Sequence, residues 1–273
     1  MLTSLPLYLA FGCLAGVLSG LFGIGGGVVI VPFLVWQLGL QGFNPDLVMV
    51  VAVATSLATI VVTSLSAVYA HHRRGAVDWR VVGRLSPGIL LGSVLGSIVA
   101  HHLPVLWFKL IFALFLLAVA LRMLAGGKGD AGVHWRRTGW LLSPAGLGIG
   151  AVSAILGIGG GTLSVPLLVK CRYVMREAVA ISSACGFPIA VAGTATYLVL
   201  GWNHPGLPPE TWGYIHLPAL AGIILTSVGF APVGAKLAHT LPTPKLKRLF
   251  SLVLFLIGGK MLWQVARDFL MKG

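Results

Sequence analysis

A glycine-rich stretch occurs twice in this chain. It is first Gly23-Ile24-Gly25-Gly26-Gly27-Val28-Val29-Ile30-Val31-Pro32, and 134 residues later it is Gly157-Ile158-Gly159-Gly160-Gly161-Thr162-Leu163-Ser164-Val165-Pro166. Residues 14–34 match residues 148–168 at 10 of 21 positions, so the likeness extends beyond the glycines. A match of this length at a fixed spacing predicts two homologous halves.

The composition predicts that this chain lies in a membrane. Of its 273 residues 57% are hydrophobic and 9% are charged, and the mean hydropathy is +0.96. One core surrounded by water cannot bury so much apolar side chain, so the outer surface must be apolar as well. A soluble enzyme, a nucleic-acid-binding domain and a disordered chain are therefore excluded. The net charge of +13 indicates membrane topology and contact with anionic lipid headgroups rather than nucleic acid.

Ten apolar segments follow one another along the chain. They are residues 5–22, 27–40, 47–70, 80–100, 105–125, 139–156, 161–169, 178–200, 213–236 and 246–266. The second and seventh follow the glycine clusters and are too short to cross about 30 Å of hydrocarbon at about 1.5 Å per residue. Each is predicted to form a hairpin with the segment before it, 5–40 and 139–169, with its glycine turn at membrane depth.

Positive charge indicates how these segments are oriented. The hairpin arrangement places 15 Lys and Arg residues on the inner side and 4 on the outer side, whereas a single crossing by 139–169 gives 11 against 8. The positive-inside rule favours the hairpins. Each half then contains one hairpin and three crossing helices. Because that number of crossings is odd, the halves are expected to be inverted, with both termini outside.

The predicted fold is thus an all-α polytopic membrane protein of two inverted-topology repeats. The first repeat, 1–125, contains hairpin 5–40 and helices 47–70, 80–100 and 105–125. A basic cytoplasmic linker, 126–137, leads to the second repeat, 138–273. That repeat contains hairpin 139–169 and helices 178–200, 213–236 and 246–266.

The glycine turns predict an anion site. The start of a helix leaves four N–H groups without a partner inside the helix and carries about half a positive charge, and glycine lets a ligand approach those amides. Two such starts, near Gly27 and Gly161, would bind a small anion without a charged side chain. Nearby hydroxyls add donors. The predicted substrate-binding residues are Ser19, Gly23, Gly25, Gly26, Gly27, Thr55, Ser56, Ser153, Gly157, Gly159, Gly160, Gly161, Thr162, Ser182 and Ser183.

Structural roles for the same residues compete with this interpretation. Glycines often permit close packing of membrane helices, and a serine or threonine often bonds a carbonyl one turn back in its own helix. Because the glycine clusters occur in both halves, we favour binding for the glycines. For a single hydroxyl the structural role is favoured, and the pairs Thr55-Ser56 and Ser182-Ser183 are stronger candidates for binding because they occur in both halves. Gly92 and Gly96, four residues apart and outside the hairpins, are predicted to serve helix packing alone.

Enzymatic chemistry has little support in the sequence. The six carboxylates are scattered, the three cysteines have no zinc-binding spacing, and no nucleophile has a base on a matching segment. We predict no catalytic residue, no metal and no cofactor. An intramembrane enzyme stays a distant alternative.

The glycine clusters and their neighbours resemble the TauE/SafE sulfite-exporter family of membrane permeases. The segments that carry the resemblance are Gly23 to Gly27 with Val31-Pro32-Phe33-Leu34, Ala54-Thr55-Ser56-Leu57, Gly75-Ala76-Val77-Asp78-Trp79, Gly157 to Gly161 with Val165-Pro166-Leu167-Leu168, and Ser182-Ser183. The resemblance implies a multi-pass protein of the bacterial inner membrane that exports sulfite or an organosulfonate such as sulfoacetate. A channel or importer of an inorganic sulfur anion such as thiosulfate is the alternative. The residues alone indicate only a small anion.

Overall fold

The computed structural model describes residues 5–22, 25–124, 142–240 and 243–270. Gly23 and the predicted linker 126–137 lie outside these residues. The described helices are α1 Leu5–Phe22, α2 Gly27–Leu40, α3 Pro45–His72, α4 Trp79–His102, α5 Val105–Leu124, α6 Leu142–Leu156, α7 Gly161–Lys170, α8 Met175–Leu200, α9 Leu217–Thr240 and α10 Thr243–Leu270. Two short strands, β1 Thr211–Trp212 and β2 Ile215–His216, pair antiparallel before α9. The prediction of an all-α membrane protein is confirmed.

Five of the described helices are long and apolar enough to cross a membrane. They are Leu5–Phe22, Pro45–His72, Trp79–His102, Met175–Leu200 and Leu217–Leu237. The two arms that follow the glycine turns are short, as predicted, with 14 residues in α2 and 10 in α7.

The predicted helix start at residue 213 falls on a strand pair. A helix was expected from residue 213, but residues 211–216 form the strand pair and α9 begins at Leu217. The reason is local. Gly213 has a φ of 53° and, with Tyr214, forms a two-residue hairpin loop, a position in which glycine is favoured.

The contacts divide the chain into two units, which differ from the two predicted repeats. The larger unit comprises Met1–His101 and Ala131–Thr240, and the smaller comprises His102–Asp130 and Leu241–Gly273. In the smaller unit α10 packs on α5, where Gly258 faces Leu116 and Leu117. The larger unit contains the glycine turns.

The centre of the larger unit is the packed pair α3 and α8, the third helix of each predicted half. Gly193 of α8 faces Leu57 of α3, and Gly186 of α8 faces Ser64 of α3. Because residue numbers fall along one helix as they rise along the other, the two helices run antiparallel. Most of α3 and half of α8 are buried, including Thr55, Ser56, Ser182 and Ser183.

The outer helix α4 shows how the unit meets lipid. Its buried face carries small residues such as Gly92, Ser93 and Gly96, while Leu90 and Leu91 are exposed. Small and polar side chains inside, with large apolar ones outside, are expected where the solvent is hydrocarbon.

Glycine seams join the first arm of each hairpin to a helix of the other half. Along α1, Gly12, Gly16 and Gly20 lie directly against the backbone of α9, and Gly88, Gly92 and Gly96 of α4 lie against the backbone of α6. The predicted packing role of Gly92 and Gly96 therefore holds. Their partner is a hairpin arm, however, so these glycines are not independent of the hairpins.

Candidate functional site

The two short arms begin with the same backbone geometry. Gly26 precedes α2 with a φ of 76°, and Gly160 precedes α7 with a φ of 73°. L-residues rarely adopt this left-handed conformation, which explains a glycine at both positions. The Gly26 carbonyl accepts from the Val29 and Ile30 amides, so the amides before Val29 have no partner within the helix.

The two glycine turns contact each other directly. A Cβ on Gly25 would lie 3.0 Å from the Gly159 Cα, and one on Gly27 would collide with the Gly157 carbonyl oxygen. The Ser56 hydroxyl of α3 donates to that same carbonyl over 2.8 Å. Two segments 134 residues apart in sequence thus meet as one junction, which we call the turn junction: Gly25 to Gly27, Gly157 to Gly161, and Ser56.

The turn junction is closed in this conformation. All of its residues are buried, and the apolar side chains of Ile60, Val53 and Val31 pack against its glycines. An anion at the turn junction would therefore be out of contact with bulk water. Hydrogen bonds to an anion are stronger in such a buried place than in water.

Near the end of each hairpin's first arm, a backbone carbonyl accepts a hydrogen bond from a side chain of the long helix in the same half. The His71 Nε2 of α3 lies 3.1 Å from the Gly20 carbonyl at the end of α1, and the Tyr197 hydroxyl of α8 donates to the Ala154 carbonyl at the end of α6 over 3.2 Å. Gly20 and Ala154 are equivalent positions of the two halves. Carbonyls in the last turn of a helix have no intrahelical partner, so these bonds fix where each arm stops.

The predicted hydroxyls divide into those at the junction and those bonded elsewhere. Ser56 holds Gly157, and Ser182 lies 3.1 Å from Ser164, whose hydroxyl donates to the Gly160 carbonyl. Ser183 instead donates to the Val179 carbonyl in its own helix, the structural role that competed with binding. Ser164, which lies beside Gly160, was not among the predicted site residues.

Thr55 faces away from these bonds. Its hydroxyl oxygen accepts the backbone N–H of His216 over 2.9 Å, which links α3 to the strand pair before α9. His216 was not predicted, because the two residues are 161 positions apart and no pattern in the sequence relates them.

Ser153 and Thr162 flank the second glycine turn with buried hydroxyl oxygens that have no hydrogen-bond partner among the described residues. Buried polar atoms without partners are uncommon in folded proteins, and a bound ligand can supply the missing hydrogen bond. Ser19, the counterpart of Ser153 in the first half, is buried near the end of α1. Gly23 lies outside the described residues.

Comparison with known proteins agrees with this architecture. The model of the sulfite exporter TauE/SafE family matches residues 8–261. A probable membrane transporter protein of Haemophilus influenzae is 36% identical over 96% of this chain and 99% of its own. Probable membrane transporter proteins of Methanocaldococcus jannaschii and Bacillus subtilis are 28% and 26% identical, over 94% and 96% of this chain and 95% and 98% of theirs. No solved structure matches.

These matches cover nearly the whole chain, and the relatives are named as transporters rather than enzymes. The apolar helices agree with a multi-pass membrane protein. The repeated glycine turns, the membrane-spanning helices and the family match lead to one conclusion: the chain belongs to the TauE/SafE family of membrane transporters.

Proposed function

We propose that the protein exports a small sulfur-containing anion, sulfite or an organosulfonate, across the membrane through a site at the turn junction. The observation that carries the proposal is the direct contact between the two glycine turns, with Ser56 bonded to Gly157. Sulfur as the element at the centre of the anion comes from the family name alone.

The groups at the junction suit an oxyanion. Two helix starts direct amides and positive dipole ends towards it, while Ser153 and Thr162 offer hydroxyls without other partners among the described residues. No Lys or Arg is needed, so a charge need not be buried in the membrane. A sulfonyl head has three acceptor oxygens, enough to engage amides and hydroxyls together.

The contacts between helices support inverted halves. The equivalent helices α3 and α8 run antiparallel in contact, as inversion requires. Each hairpin's first arm also packs on the other half, α1 on α9 and α6 on α4, and this reciprocal exchange is expected of two repeats related by a pseudo-two-fold axis.

Cysteine labelling in intact cells tests the topology. In a background without Cys13, Cys171 and Cys185, cysteines placed at Gly129 and Arg172 should react from the inner side and one at Trp202 from the outer side. Reaction of the Gly129 and Arg172 probes from opposite sides would contradict the hairpin scheme.

Transport itself is tested with purified protein in liposomes. Sulfite or a small sulfonate should cross the membrane faster than in empty liposomes, and trans-stimulation in counterflow would distinguish a carrier from a channel. A binding screen of sulfite, thiosulfate and sulfonates, with chloride and phosphate as controls, would identify the substrate. If none of the sulfur anions binds or crosses, the proposed function is wrong.

A further inference from the structure

A pocket of about 520 Å³ opens at the end of the larger unit where α3 begins and α8 ends. The α1 side chain Tyr8, the loop before α3, the loop after α8, and His216 line it. Gln41 donates to the Tyr8 hydroxyl over 3.1 Å, and the Phe43 ring packs edge-on against the His216 ring at 5.3 Å between centroids. None of the turn-junction residues lines this pocket.

His216 links this pocket to α3, at the residue before Ser56 of the turn junction. Its backbone N–H donates to Thr55, and the neighbouring Ser56 holds Gly157. Its Nδ1 accepts the Ala219 amide in the first turn of α9, and burial lowers its pKa to about 4, so at neutral pH the ring is uncharged with its proton on Nε2. That Nε2 lies 4.0 Å from a Glu210 carboxylate oxygen, which is too far for a direct hydrogen bond.

Charge is distributed unequally between the two ends of the larger unit. Its described residues include eight Lys and Arg, all at the end opposite the pocket: Arg73, Arg74, Arg80, Arg84, Lys170, Arg172, Arg176 and Lys236. At the pocket end the described charged residues of this unit are two carboxylates, Asp46 and Glu210, and only Glu210 lines the pocket. Within the larger unit, the described charges therefore attract an anion at the basic end and repel one at the pocket end.

We propose that this pocket is the release site of the transported anion and that Glu210 keeps the affinity for the anion low there. The proposal rests on the proposed function, since it names the side on which the same anion leaves. Glu210 does not drive net flux, which requires a gradient. It raises the concentration needed to load the transporter from the pocket side relative to the basic side, and so opposes return of the released anion.

The test is a charge series at Glu210, measured with sulfite in right-side-out and inside-out membrane vesicles. Glu210→Gln should lower the half-saturation concentration from the pocket side by roughly two- to tenfold, and Glu210→Lys should lower it further, because a repulsive charge is first removed and then reversed. The half-saturation concentration from the basic side should not change. The shift should shrink at high salt, since the Glu210 side chain is partly exposed.

Asp46→Asn is the matched control, because Asp46 lies at the same end without lining the pocket. It should change the pocket-side value less than Glu210→Gln does. Labelling of a cysteine at Trp202 identifies which vesicles expose the pocket. An unchanged half-saturation concentration in both Glu210 variants, or an equal shift from both sides, would overturn the release site while leaving the proposed function intact. Absence of sulfite flux in the wild type would overturn the proposed function and the release site with it.

Discussion

The two hairpins share their glycines but differ in the residues that follow. In the second hairpin α7 continues with the hydroxyl residues Thr162 and Ser164, whereas the equivalent positions of α2 are Val28 and Ile30. The second arms differ in surroundings too. Seven of the first ten residues of α2 are buried, against four of the ten residues of α7.

The two hairpins therefore share their backbone conformation but not the side chains that could bind a ligand. The shared glycines give both arms a left-handed start and let the turns touch. Because Thr162 and Ser164 have no counterparts in the first hairpin, the second turn offers hydroxyl groups beside the junction, while the first offers mainly backbone amides and carbonyls. A site between two related hairpins is therefore not symmetric, and variants of one hairpin should not reproduce those of the other.

The largest effect is expected from Gly27→Ala. Its methyl group would collide with the Gly157 carbonyl oxygen and lie 2.9 Å from the Ile158 Cα, so two backbones would have to separate. Overpacking of this kind costs roughly 3 kcal/mol. Thermal unfolding of the purified protein in detergent measures the loss. Gly39→Ala in the same helix is the control, because no atom lies within 4 Å of its Cβ position and alanine favours helix. If both variants unfold at the same temperature, the contact between the turns is not tight.

A smaller and unequal effect is expected from Gly26→Ala and Gly160→Ala. Both variants incur about 1–2 kcal/mol of left-handed backbone strain. Gly26→Ala should be the worse, because its methyl group meets the Ala15 carbonyl at 2.8 Å, whereas that of Gly160→Ala meets the movable end of Ile189.

Sulfite titration of the same two glycine variants, with their double variant, tests whether both turns bind one anion. Each should weaken binding, and the double variant should depart from additivity because the groups share a ligand. If both single variants bind sulfite as the wild type does and only their stability falls, these glycines serve packing alone.

The smallest loss of stability is expected from Thr162→Val. The lost hydroxyl has no partner among the described residues, so the unfolding temperature should barely move. A hydrogen bond to an anion contributes about 1.5–3 kcal/mol, so sulfite affinity should fall by about tenfold or more. Ser183→Ala is the control, since that hydroxyl already donates to Val179 and its loss should leave affinity unchanged. Equal affinity in Thr162→Val and the wild type would remove the hydroxyl from the proposed site.

Much of the helical layout could be predicted from the repeated glycines and from hydropathy, because both are local properties of the chain. The partners of the helices could not. A row of glycines such as Gly88, Gly92 and Gly96 permits close packing without specifying the helix that packs there. The strand pair before α9 was missed because its strands have two residues each, too few for a visible alternation.

The candidate site was predicted in outline only. The glycines and Ser56 meet at the turn junction, but the sequence did not indicate that Thr55 bonds His216 or that Ser183 bonds its own helix. Those outcomes depend on helix rotation and on contacts between distant segments, which a pair of adjacent hydroxyl residues does not determine. Whether the predicted residues bind an anion stays a prediction.

The glycine seams have a consequence for motion. Backbones that touch along α1 and α9, and again along α4 and α6, cannot slide without separating, and each seam ties one half to the other. The halves therefore cannot rock past each other as independent rigid bodies. If the buried junction opens to admit an anion, the short arms α2 and α7 are the elements left to move, and Pro32 and Pro166 each remove one hydrogen bond from them. The helices joined by the seams would then stay in place while only these two short arms move.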